Sequence, residues 1–174
     1  MRKVDVVPYD ALWPLLFDIE AGKLQEIFGG RVLEIHHIGS TSVEGMHAKP
    51  VIDIMPVVRD IGMIDRLNVS MERIGYEAKR EHGIPGRRFF QKGGDDRTHH
   101  VHVFEAGSVH IERHLAFRDY LRNHPDEASS YSRLKLGLAA RFPAYMDAYI
   151  ERKNQFVEET ERKALAWHRG KSIG

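Results

Sequence analysis

The pattern of apolar residues changes at Ser108, and this change limits the folds open to the chain. From Ser108 onward, apolar residues recur at helical spacing. They predict three helices, at about 109–123, 125–141 and 143–168. The C-terminal part of the chain is therefore expected to be helical.

Before Ser108, the sequence predicts both helices and strands. Helices are expected at 9–28 and 61–74, and strands at 31–38, 50–58, 87–91 and 98–105. Pro50 is expected to open its strand and Pro56 to close it. The sequence thus predicts an α+β fold, in which a mixed β-sheet is flanked by helices and followed by a helical C-terminal region. A single domain over residues 1–174 is expected.

The composition of the chain indicates which binding partners and which cellular compartment to expect. The net charge is +1, which argues against binding to long nucleic acid or to an anionic membrane surface. The first residues lack the apolar core of a signal peptide, and no apolar run reaches the length of a membrane span. The chain contains no cysteine, so disulfides and thiolate sites are excluded. We expect a cytoplasmic protein whose oligomeric state the sequence leaves open.

Asp53 stands inside an apolar strand pattern, where an unpaired carboxylate is costly. Side chains alternate along a strand, so Asp53 is expected to point away from Ile52 and Ile54 and toward the turn at Gly39. A carboxylate there could bind Mg²⁺ or Mn²⁺. The alternative is a structural aspartate paired with Lys49 or an arginine.

The Gly39-Ser40 turn follows a predicted strand and is rich in hydroxyl groups. Glycine permits a sharp turn, after which successive backbone N–H groups can converge on an anion. The hydroxyl groups of Ser40, Thr41 and Ser42 add hydrogen-bonding groups for phosphate oxygens. A phosphate-binding turn is one interpretation, and a capped turn before a short helix is the other.

His100 and His102 are two residues apart on the strand predicted at 98–105 and therefore share one face of it. Two imidazoles so placed can bind a metal ion or flank an anion, and neutral imidazole suits Mn²⁺ or Zn²⁺ better than Mg²⁺. The alternative is a solvated strand face. A nearby Asp53 would favour a metal site.

Basic side chains supply candidate phosphate ligands. Lys49 precedes the strand of Asp53, and Arg87 and Arg88 follow a loop rich in glycine and proline. Arg118 lies on a helical stripe, where its guanidinium could bind phosphate. Because Asp119 follows it directly, a local ion pair is an equal alternative.

The last residues, RGKSIG, contain Gly170-Lys171-Ser172, which resembles the final three positions of a P-loop motif. Leu165 stands where that motif needs its first glycine, and no strand is predicted before it. A frayed terminus is therefore expected from Arg169 to Gly174.

The combination of motifs resembles the GrpB family along nearly the whole chain. The matching segments are YDALWPLLFDIE at 9–20, HIGSTSVEGMHAKPVIDI at 37–54, GIPGRRFF at 83–90, HHVHV at 99–103 and FRDYLRNHP at 117–125. The resemblance implies a fold like that of the nucleotidyltransferase superfamily. In that superfamily a Gly-Ser turn binds a triphosphate, and the next strand carries two carboxylates for divalent metals. Here Gly39 and Ser40 match the turn and Asp53 matches the second carboxylate, whereas Val51 occupies the first position.

The resemblance implies a metal-dependent enzyme that transfers a nucleotidyl group from a nucleoside triphosphate to a small molecule or protein. Ser40 would hold phosphates, Asp53 with His100 or His102 would hold the cation, and Lys49 with Arg87 or Arg88 would neutralise pyrophosphate. Val51 favours a second hypothesis, a non-catalytic module that binds a nucleotide or phosphorylated metabolite. A third is a metal-dependent hydrolase that uses the histidines and Asp53.

Overall fold

The computed structural model describes residues 2–171, and for Lys171 it describes the backbone alone. Its helices are α1 (Trp13–Phe28), α2 (Asn68–Arg73), α3 (Val109–Asn123), α4 (Pro125–Arg141) and α5 (Met146–Lys171). Its strands are β1 (Val32–Ile38), β2 (Ile52–Val58), β3 (Tyr76–Ala78), β4 (Arg88–Lys92) and β5 (His99–Glu105). The predicted α+β class and the helical C-terminal region are confirmed. Helix α5 continues through residues 169–171, so the prediction of a frayed terminus was wrong there, and the rest of that segment, from Ser172, lies outside the described residues.

The chain forms two compact units, which we call the sheet unit and the helical unit. The sheet unit consists of residues 11–38 and 51–111. Within the described range, the helical unit consists of residues 2–10, 39–50 and 112–171. The single domain expected over 1–174 stays a prediction. No helix within residues 2–171 is long and apolar enough to cross a membrane.

The sheet unit contains a mixed sheet with strand order β1-β2-β5-β4-β3. β2 and β5 are parallel, and the other three pairs of neighbours are antiparallel. The central strands β2 and β5 carry the most buried apolar side chains; among them are Ile54, Met55, Val58, Val101 and Val103. The sheet therefore has a rigid centre, from which polar side chains project at fixed positions.

Strand register places two neighbouring rows of side chains on opposite faces of this sheet. One row runs through Ile52, His99, Lys92 and Tyr76. The next row runs through Ile38, Asp53, His100 and Gln91. Because successive residues of a strand point to opposite faces, the polar groups of the two rows are separated by the sheet itself.

Several predicted boundaries were wrong for reasons that the structure explains. The first helix begins at Trp13 rather than Tyr9, because Pro14 is tolerated only in the first helical turn. Pro56 does not close β2, which continues to Val58; the β2–β5 pairing skips Pro56, which has no N–H to donate. The segment predicted as a helix at 61–74 is a 3₁₀ helix at Ile61–Leu67 followed by α2. No bounds were predicted for β3.

The helical unit is held together by an apolar cluster from α3, α4, α5 and the segment after Gly39. Its buried members are Val43, Met46, Ala116, Tyr120, Leu121, Ala128, Tyr131 and Ala164. Helix α4 contributes to it through one face, on which buried residues recur every three or four positions. This face also carries a charged residue, Lys135.

Candidate functional site

Asp53 lies in the middle of the sheet, in β2, and is bound by two histidines of β5. Its Oδ1 lies 3.0 Å from Nε2 of His102 and 3.5 Å from Nδ1 of His100. Within residues 2–171, no hydrogen bond or ion pair reaches its other oxygen, Oδ2. The side chain of Asp53 keeps 26% of its surface exposed, so this carboxylate can accept a further ligand.

The two histidines also keep Asp53 ionised. Burial alone would raise the pKa of Asp53, but the hydrogen bonds and charge attraction of His100 and His102 outweigh it and hold the pKa below its usual range. Burial lowers the pKa of His102, against the opposing effect of Asp53. A carboxylate beside a predominantly neutral His102 is the resulting state near neutral pH.

These three residues form the candidate cation site. One oxygen of Asp53 and one ring nitrogen each of His100 and His102 lie within 4.8 Å of one another. The carboxylate is suited to bind a divalent cation, since the group is ionised and its Oδ2 is available. A set of one oxygen and two imidazole nitrogens is typical of Mn²⁺ or Zn²⁺ sites. The structure thus brings together the three predicted ligands, and their role in metal binding stays a prediction.

Arg87 supports this cluster from the side of β4. The residue is buried, with 6% of its surface exposed, and its Nη1 lies 3.3 Å from Nδ1 of His102. Its guanidinium also covers the ring of Phe89, which is paired with His102 across the β4–β5 ladder. Arg87 therefore contacts a predicted ligand of the cation.

The Gly39-Ser40 turn belongs to the helical unit. Gly39 has φ 74°, a left-handed conformation that favours glycine, and residues Ser40–Ser42 form a 3₁₀ turn. Thr41 and Ser42 are buried, and the backbone carbonyl of Ser42 accepts a hydrogen bond from Arg122 at 2.9 Å. The predicted turn therefore exists, and its segment is fixed by helix α3.

Lys135 is the residue of this region that sequence reasoning missed. Its Nζ donates a hydrogen bond to Oγ of Ser40 at 2.8 Å and lies 4.2 Å from the centre of the Tyr131 ring. The residue is 2% exposed, and no carboxylate of residues 2–171 lies within ion-pair distance of it. Burial and the nearby charges of Lys153 and Lys49 lower the pKa of Lys135 to about 6.

A signal for Lys135 was present in the sequence. Tyr131 and Leu138, four residues before and three after Lys135, are buried, so the lysine occupies an apolar position of a helical pattern. Its proximity to Ser40, however, joins residues 95 positions apart. Helix packing is required to show that contact.

The remaining predicted phosphate ligands have local partners. Lys49 lies in the helical unit, with its Nζ 3.8 Å from the sulfur of Met146 and near the ring of Tyr149. Arg118 forms the local ion pair with Asp119, at 2.8 Å.

Arg88 is bound to Asp65 by two hydrogen bonds, at 2.8 and 3.4 Å. It is paired with Val103 across the β4–β5 ladder, whereas the neighbouring residue His102 faces the other way. The structure therefore does not bring Arg88 to Asp53. The phosphate-binding roles of Lys49, Arg88 and Arg118 stay predictions.

Comparison with known proteins identifies the family. Residues 3–163 match the family described as GrpB protein. The chain belongs to the GrpB family. It is 46% identical over 171 residues to UPF0157 protein YqkA of Bacillus subtilis (strain 168), a match that covers 98% of this chain and 50% of that protein. The chain thus spans half the length of this relative.

Solved structures support the fold. The crystal structure of the conserved protein GrpB from Enterococcus faecalis superimposes with a TM-score of 0.92 at 42% identity, covering 94% of this chain and 99% of that one. A structure of Cid1 poly(U) polymerase bound to MgATP gives a TM-score of 0.54 at 13% identity, covering 78% of this chain and 45% of that one. This GrpB protein therefore has a nucleotidyltransferase-like fold.

Proposed function

We propose that this GrpB protein is a divalent-cation-dependent enzyme that transfers a nucleotidyl group from a nucleoside triphosphate to a small-molecule or protein acceptor. The observation that carries the proposal is Lys135, a buried amine that donates to Ser40 of the predicted phosphate turn and has no acidic partner among residues 2–171. The shared fold with Cid1, whose structures contain MgATP and the UTP analogue UMPNPP, supports the same substrate class.

Lys135 favours an anionic ligand for an energetic reason. A buried charge without an opposite charge is costly, and the neighbouring Lys49 and Lys153 increase that cost by repulsion. A phosphate group would offset the cost, because charge-assisted hydrogen bonds are strongest in a buried setting. In the proposed enzyme, Ser40 and Lys135 bind phosphate oxygens of the triphosphate, and Lys49 adds positive potential.

In the sheet unit, the proposed role of Asp53 is to hold the divalent cation through its available oxygen. Such a cation, when bound, neutralises phosphate charge and stabilises the attacking and leaving oxygens of a transfer reaction. His100 and His102 keep the carboxylate ionised and fix its direction. Mg²⁺ and Mn²⁺ are the expected cations, and the histidines also suit Zn²⁺.

Thermal unfolding with ligands tests the proposal. ATP, GTP, CTP and UTP are each added with Mg²⁺ or Mn²⁺ to the wild type, to Lys135→Met and to the control Lys3→Met, which changes an exposed lysine of the same unit. At 100 times its dissociation constant, a bound triphosphate should stabilise the fold by roughly 2.7 kcal/mol. We expect this stabilisation in the wild type and Lys3→Met and its loss in Lys135→Met. Equal stabilisation of both variants would reject Lys135 as a phosphate ligand.

Two other functions are favoured by specific observations. Val51 is buried and stands where the superfamily has its first carboxylate, which favours a module that binds the nucleotide without reacting. The cluster of Asp53, His100 and His102 favours a metal-dependent hydrolase. Product analysis by phosphorus NMR separates the three functions. Release of pyrophosphate with the nucleotidyl group attached to an acceptor indicates nucleotidyl transfer. Release of inorganic phosphate, or of pyrophosphate with free nucleoside monophosphate, indicates hydrolysis, and a bound but intact triphosphate indicates the binding module.

A further inference from the structure

The contact between Arg87 and His102 defines which nitrogen of the imidazole carries the proton. Arginine has N–H donors and no acceptor. Nδ1 of His102, 3.3 Å from Nη1 of Arg87, must therefore accept this hydrogen bond. In the neutral ring the proton is then on Nε2, which lies 3.0 Å from Oδ1 of Asp53 and donates to it.

The loop before β4 holds Arg87 in the position that this contact requires. Its Nε donates to the carbonyl oxygen of Glu81 at 3.2 Å, and its Nη2 donates to that of His82 at 2.8 Å. Arg80 and His82 have φ values of 54° and 47°, an uncommon conformation for residues other than glycine. Such conformations cost free energy and persist only where surrounding contacts enforce them. The donor groups of Arg87 are therefore fixed in direction.

This arrangement is the reverse of the one that metal-binding histidines make. A metal-bound histidine normally donates its other N–H to a carboxylate, a carbonyl or water. If Nε2 of His102 bound a cation, its proton would move to Nδ1, where it would face an N–H of Arg87. Two donors would then oppose each other in a buried position, which is unfavourable.

His100 differs from His102 in this respect. Its Nε2 is 3.5 Å from Nη1 of Arg97, and its Nδ1 is 3.5 Å from Oδ1 of Asp53. Both distances are at the limit of a hydrogen bond. His100 is therefore held less firmly in one tautomer than His102.

We propose that Arg87 holds His102 as the Nε2–H tautomer, and that His102 is a positioning residue that fixes Oδ1 of Asp53 and leaves Oδ2 for the cation, rather than a cation ligand itself. The cation part of this inference rests on the proposed function. The tautomer does not, because it concerns the protein alone.

The tautomer is measured first, by long-range ¹H–¹⁵N NMR of the histidine rings in the wild-type protein without added metal. His102 is assigned from the spectrum of His102→Gln. We expect a protonated Nε2 and an unprotonated Nδ1 for His102. The opposite assignment would overturn the inference. Since the wild type carries the measurement, its result does not depend on whether a variant at Arg87 or His102 folds.

Mn²⁺ binding, measured by calorimetry, tests the positioning role. Glutamine can donate from its amide nitrogen to Asp53 and accept from Arg87 with its oxygen, so it reproduces the hydrogen bonds of the Nε2–H tautomer, but it is a poor ligand for transition metals. We compare the wild type with His102→Gln, His102→Leu and the control His36→Gln, whose histidine forms a hydrogen bond with Glu34 on the edge strand β1. Loss of a group that orients a ligand typically weakens metal binding 10- to 100-fold.

We expect the dissociation constant of Mn²⁺ to change less than about threefold in His102→Gln and to rise about tenfold or more in His102→Leu. Equal losses in both variants, with binding intact in the wild type and His36→Gln, would show that His102 is a ligand and would overturn the inference. Absence of Mn²⁺ binding in the wild type would instead reject the proposed cation site, and with it the role of His102 in orienting Asp53 for a cation. The NMR result separates the two failures.

Discussion

Glu20 and Asp53 are carboxylates in the same unit, and their surroundings differ in one decisive way. Glu20, on α1, contacts the row of the sheet that contains Tyr76, Lys92 and His99. Its Oε1 accepts hydrogen bonds from Lys92 at 2.6 Å and from Tyr76 at 2.8 Å, and its Oε2 lies 3.6 Å from Nζ of Lys23. Both oxygens are thus engaged, and two lysines balance the charge.

Asp53 projects from the neighbouring row on the opposite face. Its two partners, His100 and His102, both contact Oδ1, and no residue in the described range 2–171 binds Oδ2. Burial raises the pKa of either carboxylate and partners lower it below its usual value, so both are ionised near neutral pH. Both carboxylates are therefore ionised, but Glu20 has partners on both oxygens and Asp53 on one. The available oxygen, rather than the charge, distinguishes a candidate ligand site from a structural ion cluster.

Replacement of Glu20 should disrupt the structural ion cluster and have the largest effect on stability. Glu20→Gln leaves the ammonium group of Lys92 without its partner, which costs about 3–5 kcal/mol for a buried pair. Urea unfolding measures the loss, with Glu26→Gln on the exposed face of α1 as the control, expected within about 0.5 kcal/mol of the wild type. A loss below 1 kcal/mol in Glu20→Gln would show that its cluster is not structural.

Replacement of Asp53 should remove cation binding, which is the proposed role of the second carboxylate. Asp53→Asn keeps the shape of the side chain but removes the charge that a cation needs, so the Mn²⁺-dependent stabilisation should disappear. This stabilisation is roughly 2.7 kcal/mol at 100 times the dissociation constant. Thermal unfolding with and without Mn²⁺ measures it, and any Glu20→Gln protein that remains folded should retain it. Undiminished stabilisation of Asp53→Asn would place the cation elsewhere.

Lys135 extends the comparison to a buried amine that has no carboxylate partner among residues 2–171. Its folded pKa of about 6 lies below the ordinary 10.5, so between these pH values the unfolded chain binds the proton that the folded chain has released. The free energy of unfolding should therefore rise with pH over this window, by up to about 1.4 kcal/mol per pH unit from this lysine. Below about pH 6 the contribution becomes constant.

Lys135→Met should flatten that rise, whereas the exposed control Lys3→Met should follow the wild type. Urea unfolding at half-unit steps from pH 6.5 to 9.5 gives the three profiles. Parallel profiles for Lys135→Met and the wild type would mean that Lys135 keeps its proton in the folded protein.

Arg88 and Asp65 supply the smallest expected effect, because their ion pair is largely exposed. The side chain of Asp65 is 54% exposed, and pairs of this kind contribute less than about 1 kcal/mol. A double-mutant cycle with Arg88→Gln and Asp65→Asn should give a coupling free energy below that value. A coupling comparable to the effect of Glu20→Gln would remove the distinction between exposed and buried pairs in this sheet.

Much of the fold and part of the site could be predicted from local patterns. The helices at 109–123 and 125–141 have the predicted bounds, because helical periodicity and a proline in the first turn are local signals. Alternation along a strand also predicted that His100 and His102 share a face and that Asp53 points away from Ile52 and Ile54. The register of β2 against β5 confirms these faces.

Local patterns alone thus determined most of the helices and strands, the α+β class and the side of each predicted strand on which a residue lies. The tertiary structure decided which of those residues meet. Glu20 and Lys92 are 72 positions apart, and Lys135 and Ser40 are 95 apart. Strand order and helix packing set such contacts, and neither follows from periodicity. Whether a carboxylate is saturated, a lysine isolated or an imidazole fixed in one tautomer depends on neighbours that only the folded chain supplies.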